Sequence, residues 1–294
     1  MAASVTSPLL VIVGETASGK SGLALEIAER LNGEIICADS WTVYTGFDIG
    51  TAKPSAEDRE RVPHHLLDVA DPAQGFSAVF FQRLANQAIA DIHERGKLPI
   101  LVGGTGLYVD SVIYDYSFLP APGPGIRQQL EALPLETLLA RADGLGLDMS
   151  VVDIRNKRRV IRLIENNGQI PTKHGLRQNT IVFGLRIPRD QLQQRIEQRV
   201  DDMIAAGLEG EVAKLAERYD WSVEPMKGIG YREWQAYFMG QQTLEETRQR
   251  IIKATLGLAK RQRTWFKRNN SIHWLDNSDK VTATVDLTTT FLNK

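Results

Sequence analysis

The sequence predicts an α/β protein: a parallel sheet with helices on both faces, plus a small all-helical insertion. Three observations carry this. Short apolar runs alternate with amphipathic helical stretches, which is the signature of crossover connections. A glycine-rich loop joins the first apolar run to the first helix. A Pro/Gly-rich segment in mid-chain is followed by helical pieces and no strand.

The first run, Leu9–Val13, is uniformly apolar, as a strand buried on both faces requires. It leads into Gly14-Glu15-Thr16-Ala17-Ser18-Gly19-Lys20-Ser21, which fits G-x-x-x-x-G-K-[ST], and then into a periodic helix over Ser21–Leu31. Glycines let backbone N–H groups turn inward around an anion, and the helix N-terminus adds its partial positive charge. Lys20 supplies a point charge for the terminal phosphates and Ser21 a hydroxyl for Mg²⁺. The strand–loop–helix context makes this a phosphate-binding P-loop open to any di- or triphosphate, a nucleotide such as ATP included.

Ile35–Ala38 is the second strand and ends at Asp39-Ser40; Ser77 caps a helix running to Arg95; Leu98–Val102 is the third strand. An ATPase or GTPase places a metal-holding acid at the end of such a strand. Here the third strand ends in Gly103-Gly104-Thr105-Gly106, and the acid, Asp39, follows the second. Ligands of open parallel sheets bind outside the carboxyl ends of the strands, so Lys20, Asp39 and Thr105 are expected to share one cleft. Metal ligand, helix cap and general base remain open for Asp39.

Leu119–Gly125 holds three prolines and two glycines, a hinge composition. Helical pieces follow at Ile126–Leu133, Leu135–Ala142 and Val152–Asn166. Residues 118–178 are therefore expected to form an insertion, with 1–117 and 179–294 as the core. Ile181–Leu185 resumes the sheet, one long helix is expected over Gln191–Tyr219, and Ile272–Leu275 is a candidate last strand.

The 294 residues carry a net charge of −1, a composition that excludes disorder, collagen and a membrane-spanning helix. The single cysteine, Cys37, excludes an internal disulfide and suits a reducing cytoplasm. Met1–Pro8 has neither a basic region nor a long apolar stretch, so no secretory signal is expected there. Positive charge is concentrated in two acid-free segments. One holds Arg155, Lys157, Arg158, Arg159 and Arg162; the other Arg248, Arg250, Lys253, Lys260, Arg261, Arg263, Lys267 and Arg268. On a helix, Arg155, Arg158, Arg159 and Arg162 share one face. Such stripes on an acidic body point to a localised anionic partner. His64-His65 lacks the further spaced ligands a metal site needs.

Further stretches extend the pattern: Asp48-Ile49-Gly50-Thr51-Ala52-Lys53-Pro54, Pro63-His64-His65-Leu66-Leu67-Asp68, Gly103-Gly104-Thr105-Gly106-Leu107-Tyr108, Arg158-Arg159-Val160-Ile161-Arg162, Gly228-Ile229-Gly230-Tyr231-Arg232 and Ala259-Lys260-Arg261-Gln262-Arg263-Thr264-Trp265-Phe266. With the phosphate loop and Asp39-Ser40, these resemble, in order and over nearly the whole chain, the tRNA dimethylallyltransferases (tRNA isopentenyltransferases). Glu15 stands where that family usually has proline, Trp41-Thr42 where it has Met-Gln, and the insertion is shorter than typical.

The resemblance implies transfer of a dimethylallyl group from its diphosphate to N6 of the adenosine beside a tRNA anticodon, with Mg²⁺, in a cytoplasmic monomer. It assigns catalysis to Asp39, Lys20, Thr105 and Thr16. It assigns the diphosphate to Gly14, Glu15, Thr16, Ala17, Ser18, Gly19, Lys20, Ser21 and Arg232, with Mg²⁺ on Ser21. It assigns tRNA contact to Asp39, Ser40, Trp41, Thr42, Thr105, Arg127, Arg158, Arg159, Val160, Ile161, Arg162, Lys260 and Arg261. Trp41 and Tyr44 are expected to line a channel for the flipped base. A small-molecule kinase with an Arg-rich lid, an adenylate isopentenyltransferase and a non-catalytic RNA-binding module are the competing expectations.

Overall fold

The computed structural model describes residues 7–120, 123, 125–275 and 279–293. In chain order the elements are β1 (Leu9–Gly14), α1 (Lys20–Arg30), β2 (Gly33–Ala38), α2 (Ala56–Arg61), β3 (His64–His65), α3 (Ala78–Glu94), β4 (Leu98–Gly103) and α4 (Gly106–Ile113). There follow α5 (Ile126–Ala132), α6 (Leu135–Gly144), α7 (Lys157–Glu165), β5 (Thr180–Leu185), α8 (Arg189–Ala205), α9 (Leu208–Arg218), α10 (Trp234–Phe238), α11 (Leu244–Phe266), β6 (Ile272–Leu275) and α12 (Lys280–Leu292).

The six strands form one sheet in the order β3-β2-β4-β1-β5-β6, every pair parallel. β1, β2 and β4 are buried throughout, as a sheet covered on both faces demands. On one face Leu10 and Ile12 pack with Leu23, Ala24 and Ile27 of α1 and with Val281 and Val285 of α12. α3, α4 and α11 lie against the other. Ser77 caps α3 as expected, its hydroxyl accepting from the Phe80 N–H.

One strand is added and two expectations change. The edge strand β3 is two residues long, too short for a periodic signal. The long helix expected over 191–219 is two: Gly207, at φ +97°, ends α8 and starts α9. That left-handed backbone suits glycine and breaks the helical ladder. Arg155 lies ahead of α7, whose cap is Asn156, so it leaves the arginine row and pairs with Asp153 at 3.0 Å.

The chain divides into two compact units, Met1–Ile113 with Leu176–Lys294, and Tyr114–Gly175. The second covers the insertion expected at about 118–178, with its ends a few residues earlier. An antiparallel bridge, Ser117 with Thr172, joins its two ends. Its core comprises Leu130, Leu138, Ala142, Val160, Ile161 and Ile164. Ala121, Pro122 and Pro124 of the expected hinge lie outside the described residues.

Candidate active site

Three neighbouring strands deliver the site. β2, β4 and β1 lie side by side, and their carboxyl ends lead into Asp39, Thr105 and the phosphate loop. The loop turns inward through left-handed backbone at Ala17 (φ +61°) and Gly19 (φ +91°). Gly19 caps α1 with no side-chain hydrogen bond, which leaves the first helical N–H groups to an anion. Lys20 Nζ donates to the Glu15 carbonyl at 3.2 Å.

Two cavities, of about 70 and 100 Å³, meet here. They share Thr16, Asp39, Thr51, Arg199 and Leu258. Lys20 and Ser21 wall only the larger, Trp41, Met203 and Gly230 only the smaller. Asp39 thus stands at their junction. Its Oδ1 accepts from the Trp41 N–H at 2.9 Å, which fixes the carboxylate over its own turn. Thr105 braces that turn: its Oγ1 accepts from the Ser40 N–H at 3.1 Å and donates to the Ser40 hydroxyl at 3.4 Å. Thr105 therefore orients Asp39's neighbour and is not in either wall.

Burial pushes the Lys20 ammonium down to about 8, with the Arg199 charge lowering it further and Asp39 and Glu15 opposing. Burial likewise lowers the Arg199 guanidinium, with Asp39 pulling the other way. Burial lowers His64 too; its Nδ1 donates to the Val62 carbonyl at 2.7 Å, and it walls the larger cavity. Burial pushes the Cys37 thiol up to about 12, so it is an inert wall residue.

Arg199 escaped the sequence reading because α8 looks like an ordinary charged helix. The usable signal was the i, i+4 pair Arg195 and Arg199, one turn apart on the first helix after β5. Arg195 lies beside Gly19 and Arg199 in the cavity walls.

The structure moves several expected site residues. Glu15 does not face the cavities: its carboxylate accepts from Arg263 Nε at 2.8 Å and Nη2 at 2.6 Å. Arg232 walls neither cavity; it pairs with Glu233 at 2.8 Å and lines a separate open pocket with Arg250 and Lys253. Tyr44 is 2% exposed and packs on Phe47, so it belongs to the core rather than to a base channel. Val160 and Ile161 are the buried face of α7 and cannot reach RNA with their side chains. Arg127 and Arg162 both grip the fully buried Glu165, at 3.1 and 3.2 Å, and so tie the insertion's helices together. Arg158 and Arg159 are exposed on α7.

The second basic segment also divides. Arg248 pairs bidentately with Asp201, and Arg263 with Glu15. Arg250, Lys253, Lys260, Arg261, Lys267 and Arg268 are exposed. Gln262 and Trp265 turn inward instead. The Gln262 carboxamide accepts from the Thr16 N–H at 2.8 Å and abuts Gly104; the Trp265 indole packs on Gly106 and donates to Asp110 at 3.1 Å. Among the described residues no cluster of three His, Cys, Asp or Glu side chains is arranged for a metal, and no helix is long and apolar enough to cross a membrane.

Comparison with known proteins shows the family. The family model described as IPP transferase matches residues 42–269. A tRNA dimethylallyltransferase of Anoxybacillus flavithermus is 44% identical over 284 residues, covering 92% of this chain and 91% of its own. One from Bacillus subtilis is 39% identical, over 93% and 92%. A crystal structure of the tRNA isopentenylpyrophosphate transferase of Bacillus halodurans superposes with a TM-score of 0.77 at 38% identity, over 98% and 97% of the two chains. A eukaryotic dimethylallyltransferase acting on tRNA superposes with a TM-score of 0.83 at 26% identity, over 98% of this chain and 80% of that one. The chain belongs to the IPP transferase family, the tRNA dimethylallyltransferases.

Proposed function

We propose that the protein transfers a dimethylallyl group from dimethylallyl diphosphate to N6 of the adenosine adjacent to a tRNA anticodon, releasing diphosphate. The observation that carries this is Asp39 at the junction of two cavities, one walled by the phosphate-loop residues Lys20 and Ser21, the other by Trp41. A donor seated by its diphosphate and an acceptor base entering from the other side meet at that carboxylate.

The nitrogen lone pair attacks C1 of the donor, the C1–O bond breaks, and its electron pair leaves on the diphosphate. Asp39 takes the proton the amine sheds. Loop N–H groups, Lys20 and Arg199 stabilise the charge gathering on the leaving oxygen. Ser21 walls one cavity with a hard oxygen donor, the kind that fits Mg²⁺. Bound there, the ion would supply charge neutralisation on the diphosphate. The base must leave its stack to reach a buried electrophile, and the half-buried Trp41 ring offers it an apolar wall. No acid stands in Gly104-Thr105-Gly106 directly after β4, where an ATPase or GTPase would hold its metal.

The test is labelled dimethylallyl diphosphate given with tRNA, AMP or ATP in turn. Label enters tRNA alone. In Asp39→Ala, transfer falls by about 10²–10⁴ while tRNA affinity stays within a few-fold. Asp39→Asn, which keeps an acceptor for the Trp41 N–H, falls as far. Label in AMP, or brisk turnover of ATP, overturns the assignment.

A further inference from the structure

The phosphate loop is held from outside by one helix. Two consecutive residues of α11 fix two consecutive residues of the loop. Arg263 grips the Glu15 carboxylate through Nε at 2.8 Å and Nη2 at 2.6 Å, and Gln262 Oε1 accepts from the Thr16 N–H at 2.8 Å. The Glu15 side chain is only 2% exposed. Arg263 Nη2 is itself steadied by the Ile187 carbonyl at 3.1 Å, just past β5. Gln262 is seated against Gly104, where any Cβ would strike its carboxamide.

Glu15 passes this anchorage on to the reacting end of the loop. Its carbonyl accepts from the Ser18 N–H at 3.2 Å and from Lys20 Nζ at 3.2 Å. One peptide unit is thus tied through its side chain to α11 and through its oxygen to the lysine that faces the cavity. A lone carboxylate in an anion-binding loop would oppose a diphosphate. Matched bidentately by Arg263, it adds geometry at little net charge.

We propose that the Glu15–Arg263 pair, with Gln262, is the positioning device that holds the phosphate loop in the shape that receives the donor's diphosphate. This rests on the reading of the loop as a diphosphate site. It gives Glu15, the loop residue that departs from the proline usual in the family, a role that its absence from the cavity walls otherwise leaves unexplained.

Charge and position predict opposite signs at Glu15. If the carboxylate were only a nearby negative charge, Glu15→Gln would tighten anion binding. If it positions the loop, Glu15→Gln loosens it. The experiment is calorimetric titration of inorganic pyrophosphate into the full-length protein and its Glu15→Gln, Arg263→Gln, Arg263→Lys and doubly substituted Glu15→Gln/Arg263→Gln variants. Thermal unfolding, tRNA affinity, and donor KM and kcat are measured alongside.

Each single substitution raises the pyrophosphate Kd by roughly tenfold, and the double is no worse than the poorer single, because contacting partners are not additive. Arg263→Lys, which keeps the charge but loses the fork, also weakens binding; this milder variant decides the matter if Arg263→Gln does not fold. The loss falls on donor KM, and tRNA Kd stays within twofold. Pyrophosphate binding by Glu15→Gln as tight as, or tighter than, the wild type overturns the proposal, as does an additive double variant. Failure of the wild type to bind pyrophosphate overturns the diphosphate reading instead.

Discussion

Lys20 shows how one residue's surroundings set its chemistry. Its ammonium is buried beside Arg199, and burial holds it at about 8 against an ordinary 10.5. A lysine whose folded pKa is lowered costs stability while it is charged. That cost is present in full below pH 8 and fades as pH rises from 8 towards 10.5. Relative to Lys20→Met, the wild type therefore gains stability across that window. An incoming diphosphate favours the charged form, so pyrophosphate affinity, again relative to Lys20→Met, falls by about tenfold per pH unit above 8. Calorimetric titrations between pH 7 and about 10, the span around that pKa, check this. A constant ratio between the two proteins would mean that Lys20 is ordinarily basic. Asp39 differs in kind: its position at the cavity junction, with one oxygen held by the Trp41 N–H, is what the proposed role of base rests on.

At the scale of elements, the Gly50-Thr51-Ala52 turn is held by a carboxylate from α9. Glu211 accepts from the N–H groups of Asp48 (3.2 Å), Ile49 (2.8 Å) and Gly50 (3.1 Å), and from the Tyr231 hydroxyl at 2.8 Å. Gly50 is required because any Cβ there would collide with the Tyr231 ring. Thr51, in the wall of both cavities, rides on this turn. Glu211→Ala leaves three backbone donors and a phenol without their acceptor, so it should cost about 3 kcal/mol of stability, the charged-acceptor range applied to a partly buried site. It should raise donor KM as Thr51 shifts. Chemical denaturation and initial rates check both, and an unchanged midpoint would assign the loop's shape to Lys53, whose Nζ pairs with Asp48 and Asp68, each at 2.6 Å. This contact shows where sequence reading stops. The strands other than β3, together with α1, α3 and the meeting of Lys20 with Asp39, were legible because burial on both faces and the glycine-rich loop write local patterns. Glu211, Arg199 and the α8–α9 break at Gly207 were not. Each is a partnership across the fold, over 160 residues for Glu211, that leaves an ordinary charged helix in the sequence. Local pattern misled in the other direction at Val160, Ile161 and Arg162, where one stretch supplies both the insertion's core and the clamp on its buried acid.

For the molecule as a whole, the balance of charge decides how RNA is held. With a net charge of −1, bulk attraction cannot bring nucleic acid to this surface. What remains is local. Arg248 and Arg263 are consumed by Asp201 and Glu15, whereas Arg250, Lys253, Lys260, Arg261, Lys267 and Arg268 stay exposed along and just beyond α11. The inward side of the same helix carries Gln262 and Trp265, which brace the loops after β1 and β4. One helix therefore has a basic exterior and an interior that braces the loops after β1 and β4, and the two are separable by substitution. Each backbone phosphate neutralised contributes roughly −0.7 to −0.9 to the slope of log K against log salt. Lys260→Ala, Arg261→Ala and Lys267→Ala combined should remove about two to three units of slope from tRNA binding. Turnover at saturating tRNA should stay near that of the wild type, since none of the three walls either cavity. Binding isotherms over a range of salt, with single-turnover rates on the same variant, separate the two effects. A slope left unchanged would reduce the stripe to a solvated helix face, and a collapse of turnover at saturation would show that the exterior of α11 reaches the chemistry after all.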